Sequence, residues 1–277
     1  MGETTGVEWA DSTWNSWIAC QKISPGCKNC YMYRDMVRWG QDPTDVRRTG
    51  DETFYAPLKW KEPRRIFAAS WSDFFIEQAD AWRDDAWDVI RRTRHTYMIL
   101  TKRPENIPDR LPADWGDGWP HVWLGVSAET QEYANRRIPL LLRVPARLKF
   151  LSCEPLLGPI SLGYAHPCGY YCDPAIGHVD HDFWTPGIST SIKWVIAGGE
   201  SGPQARPMDL DWARSLRDQC EQAGTAFFFK QVGGHKKING VWGGDVLDGQ
   251  RHHQWPQSAA GQPETTDAPP ADQLRLF

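Results

Sequence analysis

The chain has 277 residues, of which 40% are hydrophobic and 24% are charged, a composition typical of a globular protein with a sizeable core. Its formal net charge of −4 argues against a protein that coats nucleic acid through bulk positive charge. The sequence shows no charged-then-apolar leader and no apolar run near the roughly 20 residues of a membrane span, so we expect a cytoplasmic protein. Seven cysteines, an odd number, favour metal or redox chemistry over a disulfide framework in such a compartment.

Short apolar runs alternate with helical patterns along the chain. Nearly continuous apolar runs of this length are typical of parallel strands that are buried on both faces. Helices are predicted over residues 80–93, 129–142 and 210–223. This alternation predicts an α/β fold, a complete or partial (β/α) barrel over residues 1–255. The predicted strands cover residues 13–19, 65–70, 97–100, 122–126, 148–152, 193–197 and 226–229.

Each predicted strand closes on a polar or ionisable residue. The carboxyl ends of parallel strands meet at one face of a barrel, and active sites lie at that face. Because such a residue follows every predicted strand, the pattern favours a single site that these residues share. One alternative is that the charges only mark where strands reach solvent, and another is a buried Glu–Lys network that holds the barrel mouth together. The residues are Cys20, Asp73, Lys102, Glu129, Glu154, Glu200 and Lys230.

The first of these ends begins a loop with three cysteines, Cys20, Cys27 and Cys30, in the pattern C-x6-C-x2-C. A Pro-Gly step inside the loop lets it turn back, so that three thiolates can converge. Structural zinc sites take four protein ligands, whereas the nearest further His and Cys are His95 and Cys153. Three thiolates and one open position suit a [4Fe–4S] cluster whose fourth iron is free to hold a substrate or cofactor. Zinc and metal-free thiols remain the alternatives.

Residues 163–190 interrupt the strand–helix alternation with an insertion rich in Cys, His, Gly and Pro. Cys168 and Cys172, followed by His178 and His181, supply four side chains of the types that bind zinc. We expect a small zinc-clamped lid over the barrel mouth. The alternative is a loop in which these residues are incidental. A separate cysteine, Cys220, lies on an amphipathic helix and is expected in the core.

From residue 256 the composition becomes polar and rich in Pro and Ala, which predicts a disordered linker over residues 256–272. The last five residues, 273–277, resemble the peptide that binds the bacterial DNA polymerase sliding clamp. In that reading Leu274, Leu276 and Phe277 fill apolar subsites while Gln273 fixes orientation through hydrogen bonds. The alternative is that this peptide docks on its own domain.

Eight ordered motifs, spread over about residues 6–255, resemble the phage-associated gene product 37/68 family of radical-SAM-like proteins. They are EWADSTWNSW, the three-cysteine pattern, SWSDFF, LTKRPEN, WLGVSAE, EPLLGPI, WVIAGGESGPQARPM and FFFKQVGG. The resemblance implies a radical-SAM-type barrel, a cluster on the three cysteines, S-adenosylmethionine as cofactor and, in some members, a three-Cys-motif partner protein. The loop departs from the commonest radical spacing, C-x3-C-x2-C. More distantly, the chain is similar to spore photoproduct lyases, which repair a thymine dimer by radical chemistry.

The resemblance also suggests cofactor contacts. In radical enzymes the residues after the second strand hold the amino group of the cofactor, a position that Ser72 and Asp73 occupy here. Gly198 and Gly199 follow about the sixth strand and would let the backbone approach a ligand, although a tight turn explains them equally well. The remaining candidates are Glu129 for a ribose hydroxyl or the amino acid end, and Lys102 and Arg103 for a carboxylate or phosphate.

These features together predict a [4Fe–4S], radical-SAM-like enzyme that acts on DNA, repairs or modifies a base, and is recruited by the clamp. Glu154, Glu200 and Lys230 are the catalytic candidates. Two alternatives remain: a DNA-associated iron–sulfur sensor that cleaves no cofactor, and a radical enzyme that modifies a small molecule or RNA. Base chemistry requires the base outside the stack, and four aromatic residues are candidates to receive it: Trp14, Trp17, Tyr31 and Trp71. Packing within the barrel is the equal alternative for each of them.

Overall fold

A curled sheet of seven parallel strands forms the centre of the computed structural model, which describes residues 3–162 and 191–257. The seven strands of this sheet stand in sequence order, and each pairs with the next one in the sheet: β1 (Ser12–Trp14), β4 (Arg65–Ala68), β5 (Thr96–Thr101), β6 (Val122–Ser127), β7 (Leu148–Cys153), β8 (Ile192–Gly198) and β9 (Ala226–Gln231). The shorter strands outside this sheet are β2 Trp17–Ile18, β3 Arg47–Arg48, β10 Lys237–Ile238, β11 Val241–Trp242, β12 Val246–Leu247 and β13 Gln250–Arg251. The predicted partial barrel is thus confirmed as a curled half-barrel within a mixed α/β fold.

Helices connect most of the parallel strands. They are α1 Tyr31–Arg38, α2 Asp51–Phe54, α3 Asp80–Arg91, α4 Gln131–Arg143 and α5 Leu210–Ala223, with 3₁₀ turns at Pro25–Cys27, Ala56–Lys59, Glu77–Ala79, Pro104–Asn106 and Pro108–Arg110. The three predicted helices are confirmed, and α5 has the predicted bounds. The sequence pattern missed α1, which follows directly after the three-cysteine loop. Among the described residues, no helix is both long and apolar enough to cross a membrane.

The two faces of the sheet bury different residues. Helices α3, α4 and α5 pack on one face, where residues such as Val89, Ile138 and Leu216 are buried against alternate strand positions. Successive side chains of a strand point to opposite faces, so the other positions build a second core. This second core is mainly aromatic, and it lies below a cavity at the carboxyl ends of the parallel strands. Its buried members are Trp9, Met98, Trp123, Leu148, Phe150, Trp194, Ile196 and Phe228.

The prediction of a single first strand over residues 13–19 is wrong. Strand β1 ends at Trp14, and β2 pairs antiparallel with β3 in a separate small sheet. At the break, the side-chain oxygen of Asn15 accepts a hydrogen bond of 2.7 Å from the backbone N–H of Trp71. The chain therefore leaves the parallel sheet well before Cys20. The predicted zinc insertion at 163–190 and the tail from 258 to 277 lie outside the described residues.

Candidate functional site

A cavity of about 250 Å³ lies at the carboxyl ends of the parallel strands. Cys20, Cys27 and Cys30 all line it, although they come from a loop outside the sheet. The structure thus brings the three cysteines together with most of the polar residues predicted at strand ends, as expected for the carboxyl edge of parallel strands. The other predicted residues that line the cavity are Ser72, Asp73, Lys102, Arg103, Glu154, Gly199, Glu200 and Lys230.

The floor of this cavity belongs to the aromatic core. Phe67 and Leu100 line it from β4 and β5, and Trp9 lines it from the segment before β1. The indole Nε1 of Trp9 is buried and has no hydrogen-bond partner among the described residues. Buried donors in native proteins normally have a partner, which makes this N–H unusual.

Two of the three thiols have polar neighbours. Nη1 of Arg103 lies 3.8 Å from Sγ of Cys20, and Oγ of Ser24 lies 3.6 Å from Sγ of Cys27. Burial raises the pKa of the Cys20 thiol to about 12; the Asp73 carboxylate adds to this rise and Arg103 opposes it. Cys20 is therefore a poor free nucleophile, because the thiolate is the reactive form. A bound metal would deprotonate such a thiol outright, and donors beside the sulfur tune a bound cluster.

In the described residues, no group of three or more His, Cys, Asp or Glu side chains is arranged to hold a single metal ion. The thiols that hold a cubane bind separate iron atoms, so they stand farther apart than the ligands of one ion. The chemistry of the donor set, three thiols lining one cavity, fits a cluster. Cluster binding by Cys20, Cys27 and Cys30 stays a prediction.

Asp73 organises the strand end that faces Cys20. Its carboxylate is buried and accepts hydrogen bonds from Oγ1 of Thr101 at 2.6 Å, the backbone N–H of Lys102 at 2.9 Å and Nη1 of Arg103 at 3.1 Å. Its neighbour Ser72 donates to the carbonyl oxygen of Ala19 at 2.6 Å. Ser72 and Asp73, the two residues predicted to contact the amino group of the cofactor, thus both form hydrogen bonds with groups of the protein itself. In this geometry Asp73 positions Arg103, and Ser72 positions the start of the cysteine loop.

Glu129 lies beneath the cysteine loop, outside the residues that line the cavity, and is 0% exposed. Its carboxylate accepts hydrogen bonds from Arg137 at 2.7 Å and from Ser24 at 2.5 Å, and Nζ of Lys102 lies 3.6 Å away. Burial alone would raise the pKa of Glu129, but the Lys102 and Arg137 cations lower it overall. A Cβ atom on Gly26 would lie 2.5 Å from this carboxylate. Glu129 therefore supports the cysteine loop from below. The sequence analysis assigned Glu129 a different role, a contact to a ribose hydroxyl or to the amino acid end of the cofactor.

Glu200 attaches the cysteine loop to the end of β8. Arg206 pairs with its carboxylate at 2.6 Å, and Nδ2 of Asn29 donates to it at 2.8 Å. Arg206 also donates to the carbonyl oxygen of Pro25 at 3.0 Å. Neither partner was predicted from the sequence: Asn29 is separated from Glu200 by 171 positions, and Arg206 lies six positions away in a segment without helical or strand periodicity.

Lys230 and Glu154 form an ion pair of 2.5 Å on the cavity wall, and each side chain is 18% exposed. The alternative to a catalytic site is a buried Glu–Lys network, and the structure contains one Glu–Lys pair of this kind, which is partly exposed. The pair still lines the cavity, so both groups can contact a ligand. Gln231 extends the network, since its Nε2 lies 3.4 Å from the same Glu154 oxygen.

Gly198 ends β8 and Gly199 follows it, and the two glycines differ in how closely other atoms approach them. A Cβ atom on Gly199 would lie 1.9 Å from the backbone oxygen of Val232, whereas one on Gly198 would meet only ordinary contacts. We expect Gly199→Ala to lower the free energy of unfolding by roughly 1–3 kcal/mol, since backbone atoms must move to admit the methyl group. Urea denaturation measures this loss. Gly158→Ala is the control, because nothing lies within 4 Å of its Cβ position; equal losses in both variants would contradict this account.

The predicted base-receiving aromatics divide into two pairs. Trp14 and Trp17 are 1% and 0% exposed, and their indole N–H groups donate to backbone oxygens of Phe54 and Asp73. The expectation that these two receive a base is wrong, because their faces are covered by the core. Tyr31 and Trp71 both line the cavity.

Cys220 is buried in the core as predicted.

The fold and this cavity define a class: half-barrel α/β proteins with a cysteine-lined cavity at the carboxyl edge of the sheet. A family model described as "Protein of unknown function (DUF5131)" matches residues 4–256, and the chain belongs to that family. No curated protein and no solved structure matches the chain.

Proposed function

We propose that this protein is a cytoplasmic [4Fe–4S] enzyme of the radical-SAM type that repairs or modifies a base in DNA. The presence of Cys20, Cys27 and Cys30 on the wall of one cavity at the carboxyl edge of a parallel half-barrel carries the proposal. Ordered motifs that resemble the gene product 37/68 family support it. The described part of the three-cysteine loop contains no fourth cysteine, so one coordination position would stay open to a cofactor.

A cluster in this position supplies, when bound, the electron that cleaves S-adenosylmethionine. The chain's own residues position and enclose the reactants. Arg103, held by Asp73, places a positive charge beside Cys20. Lys102 and Lys230, the latter paired with Glu154, are further cations on the cavity wall that suit a carboxylate or phosphate. Phe67 and Leu100 exclude water from the floor, which strengthens these electrostatic contacts.

Recruitment to DNA is assigned to the tail. Residues 273–277 resemble the peptide that binds the replication clamp, and a long polar linker over residues 256–272 would let it reach that partner. A zinc-clamped insertion on Cys168, Cys172, His178 and His181 and a three-Cys-motif partner protein complete the proposal.

A sensor with a structural cluster is the second candidate function. The observation that favours it is the engagement of Asp73, Glu129 and Glu200, whose carboxylates all contact side chains of the protein itself. In such a protein the network would hold the cysteine loop and no cofactor would be cleaved.

Electron paramagnetic resonance of anaerobically purified, dithionite-reduced protein separates these functions. We expect a reduced [4Fe–4S] signal whose shape changes when S-adenosylmethionine is added, because the cofactor binds the open iron. A cluster signal indifferent to the cofactor would contradict radical chemistry and favour the sensor. Absence of iron from anaerobically purified protein would contradict the proposal that the chain binds a cluster.

A further inference from the structure

An aromatic ledge, defined by Tyr31, Trp39 and Trp71, lies at the rim of the cavity. Trp71 and Tyr31 line the cavity, and the ring of Tyr31 meets Trp71 edge-on at 6.5 Å. Trp39 stacks on Trp71 with ring centres 5.4 Å apart and planes within 12°. The two indoles therefore form a layered surface that continues outward from the cavity.

Trp39 is the exposed end of this ledge. It follows the last residue of α1, and 59% of its surface is open to solvent. A large apolar ring held in place by a stacked neighbour, next to a cavity, is typical of a binding surface. Unpaired bases stack on exposed aromatic rings regardless of sequence, because every base has a π-face.

The segment that contains Tyr31 and Trp39 has more basic than acidic residues, and one of its basic side chains, Arg34, pairs with Asp35 at 2.8 Å. Residues 20–39 contain four basic residues and one acid, Asp35, within a chain of net charge −4. All four basic side chains belong to exposed residues. A phosphate backbone is the partner that such a local basic patch matches. The four are Lys22, Lys28, Arg34 and Arg38.

Two of these cations run along one side of α1 beside the ledge. Arg34 and Arg38 follow Tyr31 by three and seven positions, which places them on the same helical stripe. Arg34 also lies close to Gly202, which follows the cavity residue Ser201, because a Cβ atom on Gly202 would lie 2.7 Å from its Nη1. Phosphates that follow this stripe would bring successive bases to the ledge and the cavity.

We infer that the ledge and its basic surround bind single-stranded DNA, with one base in the cavity and a neighbouring base stacked on Trp39. This inference rests on the proposed function and deepens it, since it names an unpaired strand as the substrate. An unpaired strand needs no energy to open a duplex before its base enters the cavity.

Fluorescence anisotropy with a labelled single-stranded oligonucleotide tests the stacking contact. We expect Trp39→Ala to weaken binding about tenfold, because one base–aromatic stack is lost. Trp39→Phe keeps an aromatic face and is expected to retain most of the affinity, and circular dichroism of both variants separates a lost stack from a disturbed fold. Duplex of the same sequence is expected to bind at least tenfold more weakly than the single strand.

The electrostatic contact has a matched control. We expect the Arg34→Ala, Arg38→Ala double variant to flatten the salt dependence of binding by about one to two units in log–log slope. The Arg91→Ala, Arg92→Ala variant removes the same charge from the end of α3, before β5 begins and away from the carboxyl edge, and is expected to bind like the unaltered protein.

Binding is measured without S-adenosylmethionine and without turnover, so it is independent of the radical chemistry. Unchanged affinity in Trp39→Ala, equal affinity for duplex, or tighter binding of single-stranded RNA would each overturn the inference. Failure of the cofactor to alter the cluster signal would instead contradict only the proposed reaction. Iron content and circular dichroism of every variant establish that the fold is retained.

Discussion

Cys27→Ala is expected to reduce bound iron from about four atoms per chain to near zero, because two thiolates cannot hold a [4Fe–4S] cluster in place of three. Cys27 lines the cavity from the middle of the loop, between Cys20 and Cys30. Colorimetric iron and sulfide determination on anaerobically purified protein measures the loss. The fold should persist, because Cys27 is only partly buried and lies in a loop.

The Cys168→Ser, Cys172→Ser double variant provides the matched control. These two cysteines belong to the predicted zinc site, so the variant is expected to keep its iron and to lose zinc. Iron retained in Cys27→Ala, or lost equally in the control, would show that the cluster is not held by the first loop.

Glu129→Ala is expected to lower the free energy of unfolding by about 3–5 kcal/mol, since it leaves buried positive charge without its partner. Arg137 is 2% exposed and pairs with Glu129 at 2.7 Å, and Lys102 lies 3.6 Å from the same carboxylate. The loss of the acceptor for Ser24 also frees the cysteine loop from its support. Urea denaturation at neutral pH, followed by tryptophan fluorescence, measures the change.

Two further variants make this result specific. Glu132→Ala removes an exposed carboxylate from the first turn of α4 and is expected to change stability by less than about 0.5 kcal/mol. The Glu129→Leu, Arg137→Met double variant removes both charges and is expected to recover much of the lost stability. A double variant as unstable as Glu129→Ala would contradict the ion-pair explanation.

The sequence predicted the elements whose signals are local. Helix α5 has the predicted bounds, and local features mark both of its ends: the side chain of Asp209 accepts a hydrogen bond from the N–H of Asp211, and Gly224, with a φ of 63°, ends the helix. The first strand was misjudged because an apolar run continues through Ile18, while the hydrogen bond from Trp71 to Asn15 spans 56 positions. A contact of that kind leaves no trace in the spacing of apolar residues.

For the candidate site, sequence reasoning predicted the location better than the roles. Strand-end position was enough to assemble Asp73, Glu200 and Lys230 around one cavity with the cysteines. It did not show that Asp73 holds Arg103, or that Glu200 binds Arg206. Assignment of bound cofactors and of DNA stays a prediction that the experiments above address.

The sequence by itself determined the alternation of strands and helices, the three-cysteine loop and the edge of the sheet where polar residues collect. These depend on periodicity and on the common direction of parallel strands, which are properties of short segments. The tertiary structure decided that Glu129 supports the loop from below and that Trp39 forms an exposed ledge with Trp71. Those roles depend on contacts between distant segments, and their geometry exists only once the chain has packed.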